Sequence, residues 1–382
     1  MRRLQVYEKN LVLNDMKKIK VLICINSIRR GGMEISAITY QQNMDSGEFE
    51  FTYYVRDSKN IDKDLLKSII DSKATVVYKP IEVKTRLKEY RWIKSFILKN
   101  KYEVIHSHMQ YHSGLILKAA YKAGVQKRVS HSHFTKDNRK IGFLGSIYRR
   151  IMRLCLNRYA SERLACSMDA GQFLYGKSFY QDGILINNGI DMTVYRFNES
   201  IRKQVRSRMN MEDKLVVGHV GSIYWIKNQT FLIRVFREIC KRHKNAVLIL
   251  CGEICDDGES QKLSEELNLK DRIKFLGVRN DIPELLMAMD ILIFPSMFEA
   301  LPIVPIEAQA TGLPCLLSDK VSADIKKIDI VEYLSLNETP EKWAEKAMEL
   351  IDHKRGNVNM SELVKFYDIK NIAKQLENIY KS

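Results

Sequence analysis

Short apolar runs alternate with longer amphipathic stretches from Ile19 onward. "IKVLICIN" reads as a strand, and "GGMEISAITYQQNM" as a loop opening a helix. "FTYYVR" reads as a second strand, followed by "DKDLLKSIID", a helix with acidic residues in its first turn. The alternation continues through "ATVVYKP", the helical "RLKEYRWIKSFILKN", "YEVIHSH", the helical "GLILKAAYKAG" and "KRVSHSH". A basic amphipathic helix, "FLGSIYRRIMRLCLNRYA", precedes "ERLACS" and "GILINNGI". Strands alternating with helices predict βαβ units and a parallel sheet.

The pattern stops at the polar stretch "DMTVYRFNESIRKQVRSRMN" and then restarts. "KLVVGHVGS", "AVLILCGE", "IKFLG" and "DILIFPS" read as strands, separated by the helical "NQTFLIRVFREICKRH", "QKLSEELNL" and "DIPELLMAM". The expectation is an α/β protein of two doubly wound domains in series. The first spans 1–190, with 1–15 a possible extension ahead of Met16, and the second spans 191–365. A last helix, "NIAKQLENIY", lies in 366–382 with no strand after it. In open α/β sheets ligands bind outside the carboxyl ends of the strands. The segments to inspect are therefore "NSIRRGGME", "HSHMQYH" and "SHSHFT" in the first half, and "GSIYWIKN", "GVRND" and "FEALP" in the second. Ligand between two facing domains would lie in the cleft.

Composition narrows the class. A hydrophobic fraction of 45% over 382 residues is that of a soluble globular protein with room for two cores. No apolar run approaches the ~18–20 residues of a spanning helix, and the basic N-terminus has no long apolar core or small-residue cleavage site. The seven cysteines are scattered and several lie in apolar runs, as small buried hydrophobes in a reducing compartment do; the C-x3-C of Cys251 and Cys255 is a weak zinc signal. Charge is uneven. Residues 1–180 hold 34 Lys and Arg against 16 Asp and Glu, net +18, whereas the remainder nets −2. The first half could thus meet nucleic acid, an anionic membrane or a phosphate-bearing acceptor.

Candidate chemistry sits at the strand exits. Gly31 and Gly32 permit close backbone approach at a helix N-terminus, where free N–H groups suit an anion. The segment is not G-x-G-x-x-G, which disfavours a nicotinamide cofactor. Lys227 stands between a strand and a helix, where its ammonium can neutralise a diphosphate. Glu299 and Glu307 lie eight positions apart in "FEALPIVPIEAQATG". Pro302 and Pro305 suit a helix's first turn, so Glu307 lies about one turn into that helix. Both carboxylates can face one pocket, as acceptors for vicinal hydroxyls or as a hydrolase's acid and base. His106, His108, His131 and His133 form two H-x-H pairs at strand ends; a metal is conceivable, but no carboxylate is near to support one. Asp62 and Asp64 form a D-x-D string that helix capping explains.

In this order and spacing, "GGME" at 31–34, "VIHSH" at 104–108, "SHSH" at 130–133, "NNGID" at 187–191, "GHVGSIYWIKN" at 218–228, "LGVRNDIPELLMAMDILIFPSMFEALP" at 276–302 and "EAQATGLPC" at 307–315 resemble the retaining glycosyltransferase family 4. The resemblance covers nearly the whole chain and is strongest to the branch that builds bacterial capsular and exopolysaccharide repeat units. It implies a GT-B fold, two facing Rossmann-like domains with an interdomain cleft. It implies that Glu307 binds the nucleotide ribose, Glu299 the donor hexose and Lys227 the leaving diphosphate. Gly31 and Gly32 would approach that diphosphate from the other domain, with Ser222, Ala300 and Leu301 around it, while Val278 and Arg279 would border the base. His133 matches the active-site histidine, with His131 as second choice. The implied reaction moves a hexosyl unit from a nucleotide sugar, a UDP-hexose by family frequency, to a glycan acceptor on a polyprenyl diphosphate. It proceeds by front-side attack with no metal or other cofactor, at the inner face of the cell membrane and without nucleic acid. Two positions depart from the family. Ser222 stands where arginine is usual and Ala300 where glycine is usual; Arg29, Arg30 or Arg279 are candidates to compensate. A weak or inactive paralogue acting as a binding partner, and a GT-B epimerase, are the alternatives.

Overall fold

The computed structural model describes residues 17–29, 31–135, 142–299, 301–352, 355 and 359–382. Arg30, Ala300 and the possible extension at 1–15 lie outside them. Two sheets carry the fold. The first contains β1 (Ile19–Ile25), β2 (Phe49–Val55), β3 (Thr75–Tyr78), β4 (Val104–Ser107), β5 (Lys127–Ser132), β6 (Glu162–Ala165) and β7 (Ile184–Leu185), in the order β3-β2-β1-β4-β5-β6-β7. The second contains β8 (Val216–Val220), β9 (Val247–Cys251), β10 (Ile273–Gly277), β11 (Ile291–Phe294), β12 (Cys315–Ser318) and β13 (Val331–Leu334), in the order β10-β9-β8-β11-β12-β13. Every ladder is parallel.

Parallel strands are covered on both faces, which is why "VLICI", "VLILC" and "ILIF" are apolar throughout instead of alternating. One face of the first sheet is closed by the helix Gly32–Gln42 and by the last helix, Ile369–Lys381, which buries Ile369, Ile372, Ala373, Leu376 and Tyr380 against it. The terminal segment is tied there by backbone hydrogen bonds from Ile190 N–H to Tyr367 O (2.8 Å) and from Ile369 N–H to Ile190 O (2.9 Å).

The polar stretch between the two series is not wholly irregular. Asn198 accepts hydrogen bonds from Ser200 N–H and Ile201 N–H and so caps a helix at Glu199–Arg208. Arg202 and Arg206 of that helix both bind Asp290, which also accepts from Val216 N–H at 2.7 Å. The basic residues that make this stretch look like a linker are thus the clamp on the amino ends of β8 and β11. Asp62 caps the helix Lys63–Asp71, accepting from Asp64 N–H and Leu65 N–H.

Strand order reverses between β1 and β4 and again between β8 and β11. Next to the second reversal, at the exits of β8, β9 and β10, the backbone is drawn very tight. Gly252, just after β9, has φ +148° and donates to Gly277 O at 2.8 Å, while Gly221, just after β8, donates to Cys251 O at 2.8 Å. A Cβ on Gly252 would collide with the Gly221 carbonyl oxygen. Gly252→Ala should therefore lower stability by about 1–3 kcal/mol, read as a lower thermal midpoint by circular dichroism.

Candidate active site

Lys227 and Glu299 are 72 residues apart in sequence and form an ion pair. Adjacency of two strands produces it. β8 pairs with β11 in the register Ile291↔Val217 and Leu292↔Gly218, so the segments leaving them run side by side. Lys227 lies in the turn after β8 and Glu299 in the loop after β11. The Lys227 ammonium also stands 4.9 Å from the centroid of the Phe294 ring, the last residue of β11. Each side chain is 17% exposed, so the pair is screened from bulk water yet open to a ligand.

Glu307 occupies the helix Ile303–Ala310, which starts just after Pro302. It does not touch Glu299; its carboxylate accepts a hydrogen bond from the Tyr195 hydroxyl. Burial pushes the Glu307 carboxyl up to about 7, and the Tyr195 hydrogen bond opposes that rise. Tyr195 comes from the polar stretch between the domains, and nothing in its sequence surroundings marks it as a site residue.

Asn188 joins the two halves. Its Nδ2 donates to Leu301 O at 2.8 Å, in the loop between the two glutamates. Its Oδ1 lies 3.2 Å from Ser36 Oγ and 3.3 Å from the Tyr40 hydroxyl, both on the helix Gly32–Gln42. Ser36 Oγ in turn donates to Gly32 O at 2.8 Å. The amide thus reaches from the Glu299–Glu307 loop to the second and third turns of that helix. "NNGID" contained the residue, but only the fold reveals what it bridges.

The remaining candidates fall as follows. Gly32 has open space where a Cβ would be, whereas a Cβ on Gly31 would collide with the Glu34 carboxylate. Glu34 thus stands at the helix N-terminus that the glycines expose. Ser222 is half-buried, and its carbonyl accepts from Gln229 Nε2 at 3.0 Å. Val278 is exposed, and Arg279 is held by Asp281 through two hydrogen bonds of 2.8 and 2.6 Å. Arg29 is 3.5 Å from Asp57. Of the three arginines that could replace the missing one, Arg29 and Arg279 each have a carboxylate partner, and Arg30 lies outside the described residues.

On the first sheet, the exits of β4 and β5 carry the four histidines. His108 Nδ1 and His133 Nε2 are 2.8 Å apart. Burial holds His133 down to about 3 and His106, His108 and His131 well below the usual imidazole range. All four rings are neutral near pH 7. On the other face of this sheet Glu89 is a polar hub that sequence reasoning missed. It accepts from the Tyr54 hydroxyl (2.9 Å) and Arg56 Nε (3.0 Å) and meets His112 Nε2 at 3.0 Å. Burial raises its carboxyl, but His112 and Arg56 hold it down at about 2.

Comparison with known proteins gives concordant results. The family model for glycosyl transferases group 1 matches residues 200–365. EpsF of Bacillus subtilis (strain 168), named as a glycosyltransferase, is 30% identical over 87% of this chain and 88% of its own length. The capsular polysaccharide biosynthesis glycosyltransferase CapH of Staphylococcus aureus is 26% identical over 95% of this chain and 99% of its own. The UDP-Gal:alpha-D-GlcNAc-diphosphoundecaprenol alpha-1,3-galactosyltransferase of Escherichia coli is 28% identical over 62% of each chain. Among solved structures, Anabaena Alr3699/HepE in complex with UDP superposes with a TM-score of 0.79 at 18% identity, covering 95% of this chain and 100% of that one.

The raised Glu307 carboxyl has a measurable consequence. Its folded value, about 7, exceeds its ordinary 4.5, so the folded state binds this proton more tightly than the unfolded state. The stability it contributes is complete below pH 4.5 and is lost as pH rises through about 7. Glu307→Gln should flatten the fall in thermal midpoint between acidic and neutral pH, and Tyr195→Phe should carry that fall to higher pH. Calorimetric melts across a pH series check both.

Proposed function

The chain belongs to the group 1 glycosyltransferases and has the GT-B fold, and from that premise we propose that it transfers a hexosyl unit from a UDP-sugar, with retention, to a polyprenyl-diphosphate-linked glycan during surface polysaccharide synthesis. The Lys227–Glu299 pair carries this reading. Without donor, each charge satisfies the other. An arriving diphosphate would take the lysine as a charge-assisted partner, and the freed carboxylate would accept hydrogen bonds from hexose hydroxyls. Glu307 would accept from the ribose hydroxyls, with Tyr195 fixing one of its oxygens. The exposed Val278 and the Asp281-held Arg279 would border the base.

Front-side attack needs no enzyme base, because a donor phosphate oxygen takes the acceptor proton. Catalysis then lies in positioning and in stabilising charge on the leaving diphosphate, without a metal in the transfer step. His133, neutral and on the opposite wall, suits a hydrogen-bonding role near the sugar better than that of a charged acid. Ser222 removes a cation from the diphosphate end, which predicts weak donor binding. The name of the E. coli galactosyltransferase supports the acceptor class, and that of CapH supports capsular polysaccharide synthesis.

The helix Phe143–Tyr159 supports a membrane-side location. Phe143 and Leu144 are 80% and 81% exposed, and Ile147, Ile151 and Leu154 continue the same stripe into solvent. Arg150 and Arg158 are exposed beside it, and the helix holds no acidic residue. An apolar stripe flanked by arginines suits an anionic lipid interface. The helix Arg86–Asn100 is different: its Trp92 and Phe96 turn inward and stack on each other with centroids 5.0 Å apart, beside Tyr54 and Tyr102. The membrane reading therefore rests on Phe143–Tyr159.

Calorimetric titration with UDP and UDP-hexoses, without metal, tests the donor site. Glu307→Ala should weaken UDP binding by about 10- to 100-fold, as expected for losing a charged hydrogen-bond acceptor. Glu299→Ala should mainly lower turnover, and Ser222→Arg should tighten UDP. Unchanged kinetics in both glutamate variants would remove the site assignment. Separately, Leu144→Glu with Leu154→Glu should abolish co-sedimentation with anionic vesicles while leaving UDP affinity unchanged; equal vesicle binding would overturn the membrane face.

A further inference from the structure

His106, His108, His131 and His133 form one array against the face of the first sheet covered by the helices Gly32–Gln42 and Ile369–Lys381. The H-x-H spacing puts both rings of each strand on that face, and β4 and β5 are neighbours. Ring centroids are 4.2 Å apart for His106 and His108, 4.3 Å for His131 and His133, and 5.4 Å for His106 and His131, whose planes are within 4° of parallel. Tyr40 stacks on His131 from one helix, and Tyr380 meets His106 edge-on from the other.

A buried imidazole nitrogen without a partner is costly, and folds seldom leave one. Here His106 Nε2, both ring nitrogens of His131 and His133 Nδ1 lack a hydrogen bond. Several such atoms in one cluster need a common explanation. His106, His108 and His131 each offer a ring nitrogen, and these atoms all lie within 4.8 Å of one another. Imidazole donors suit zinc, cobalt, nickel and copper; magnesium and calcium prefer oxygen.

The sequence shows no nearby carboxylate to orient such a site. The structure supplies an orienting group from the far end of the chain. The Tyr380 hydroxyl lies 2.6 Å from His106 Nδ1. With Nε2 on a metal, the proton must sit on Nδ1, where it donates to the Tyr380 oxygen; that is how a ligating histidine is usually fixed.

We propose that His106, His108 and His131 bind one zinc-class divalent ion, oriented by Tyr380, with the fourth position open to water. Zn–N bonds of about 2.0–2.1 Å require the rings to draw together slightly by side-chain rotation. The ion lies behind the wall that carries His133 and takes no part in the transfer step. It ties β4 and β5 to the C-terminal helix and fixes the plane of His133 through its 2.8 Å contact with His108. None of this depends on the donor-site reading.

The test is metal binding by tag-free full-length protein, using dialysis against Zn2+ and Co2+, metal analysis and visible absorption of the Co2+ form. The expected result is about one ion per chain and a nitrogen-ligated Co2+ spectrum. His131→Gln and His108→Gln should each lose the ion, while His243→Gln, at an exposed histidine, should keep it. Tyr380→Phe leaves every ligand in place and should weaken binding about 10- to 100-fold. Retention no greater than a Mg2+ blank by the wild type overturns the proposal. So does full retention by either ligand variant, with circular dichroism confirming that it is folded. Should both glutamine variants unfold, an unchanged affinity in Tyr380→Phe overturns it.

Discussion

Parallel strands send all their carboxyl ends to one edge of a sheet, and connections from neighbouring strands part to opposite faces where strand order reverses. In the second sheet the parting lies between β8 and β11, and the segments that leave it carry Lys227 and Glu299. In the first sheet it lies between β1 and β4, whose exits carry Gly31 and Gly32 on one side and His106 and His108 on the other. Asn188 then links Ser36 and Tyr40 of the helix Gly32–Gln42 to the Leu301 loop. Most other features of the site follow from those two reversals and that one amide.

Half-burial decides how these charges behave. A fully exposed lysine–glutamate pair would be worth little, and a fully buried one could not exchange partners. At 17% exposure Lys227 and Glu299 satisfy each other while remaining reachable. Among the described residues the hydrogen-bond partner of Glu307 is a neutral tyrosine, and burial accordingly moves its carboxyl toward neutrality. Two carboxylates eight residues apart thus have different electrostatic surroundings.

Much of this was legible in the sequence. Apolar runs located the core strands, and polar residues after them located the exits, because parallel sheets bury whole strands and bind ligands at one edge. The Lys227–Glu299 contact was legible only as two separate candidates, since strand order is not written in local pattern. Tyr195 and Glu89 were illegible for the same reason: a tyrosine in a linker and a glutamate on a helix acquire meaning from partners far away in sequence. The helix Glu199–Arg208 was hidden by its own charge, because the arginines that suggest solvent exposure are spent on Asp290 and on the backbone carbonyls of residues 287–289. In the opposite direction, the apolar residues of Phe143–Tyr159 gave a helical period that looks like ordinary packing, and only the fold shows that stripe turned outward.

That outward stripe gives the charge asymmetry a physical meaning. Among the described residues no helix is long and apolar enough to cross a membrane. The net +18 of residues 1–180 belongs to the half that presents the stripe. Basic residues near an anionic leaflet contribute about 1 kcal/mol each within a Debye length, and the exposed leucines, isoleucines and phenylalanine add insertion energy that salt does not screen. Ten positions separate His133, at the exit of β5, from Phe143, the first residue of the helix. The same connection that carries His133 therefore leads into the helix whose apolar stripe is exposed. A lipid-anchored acceptor and a water-borne nucleotide sugar would approach from different sides of the cleft, and the near-neutral second half, netting −2, has no comparable attraction to hold its donor site against the bilayer.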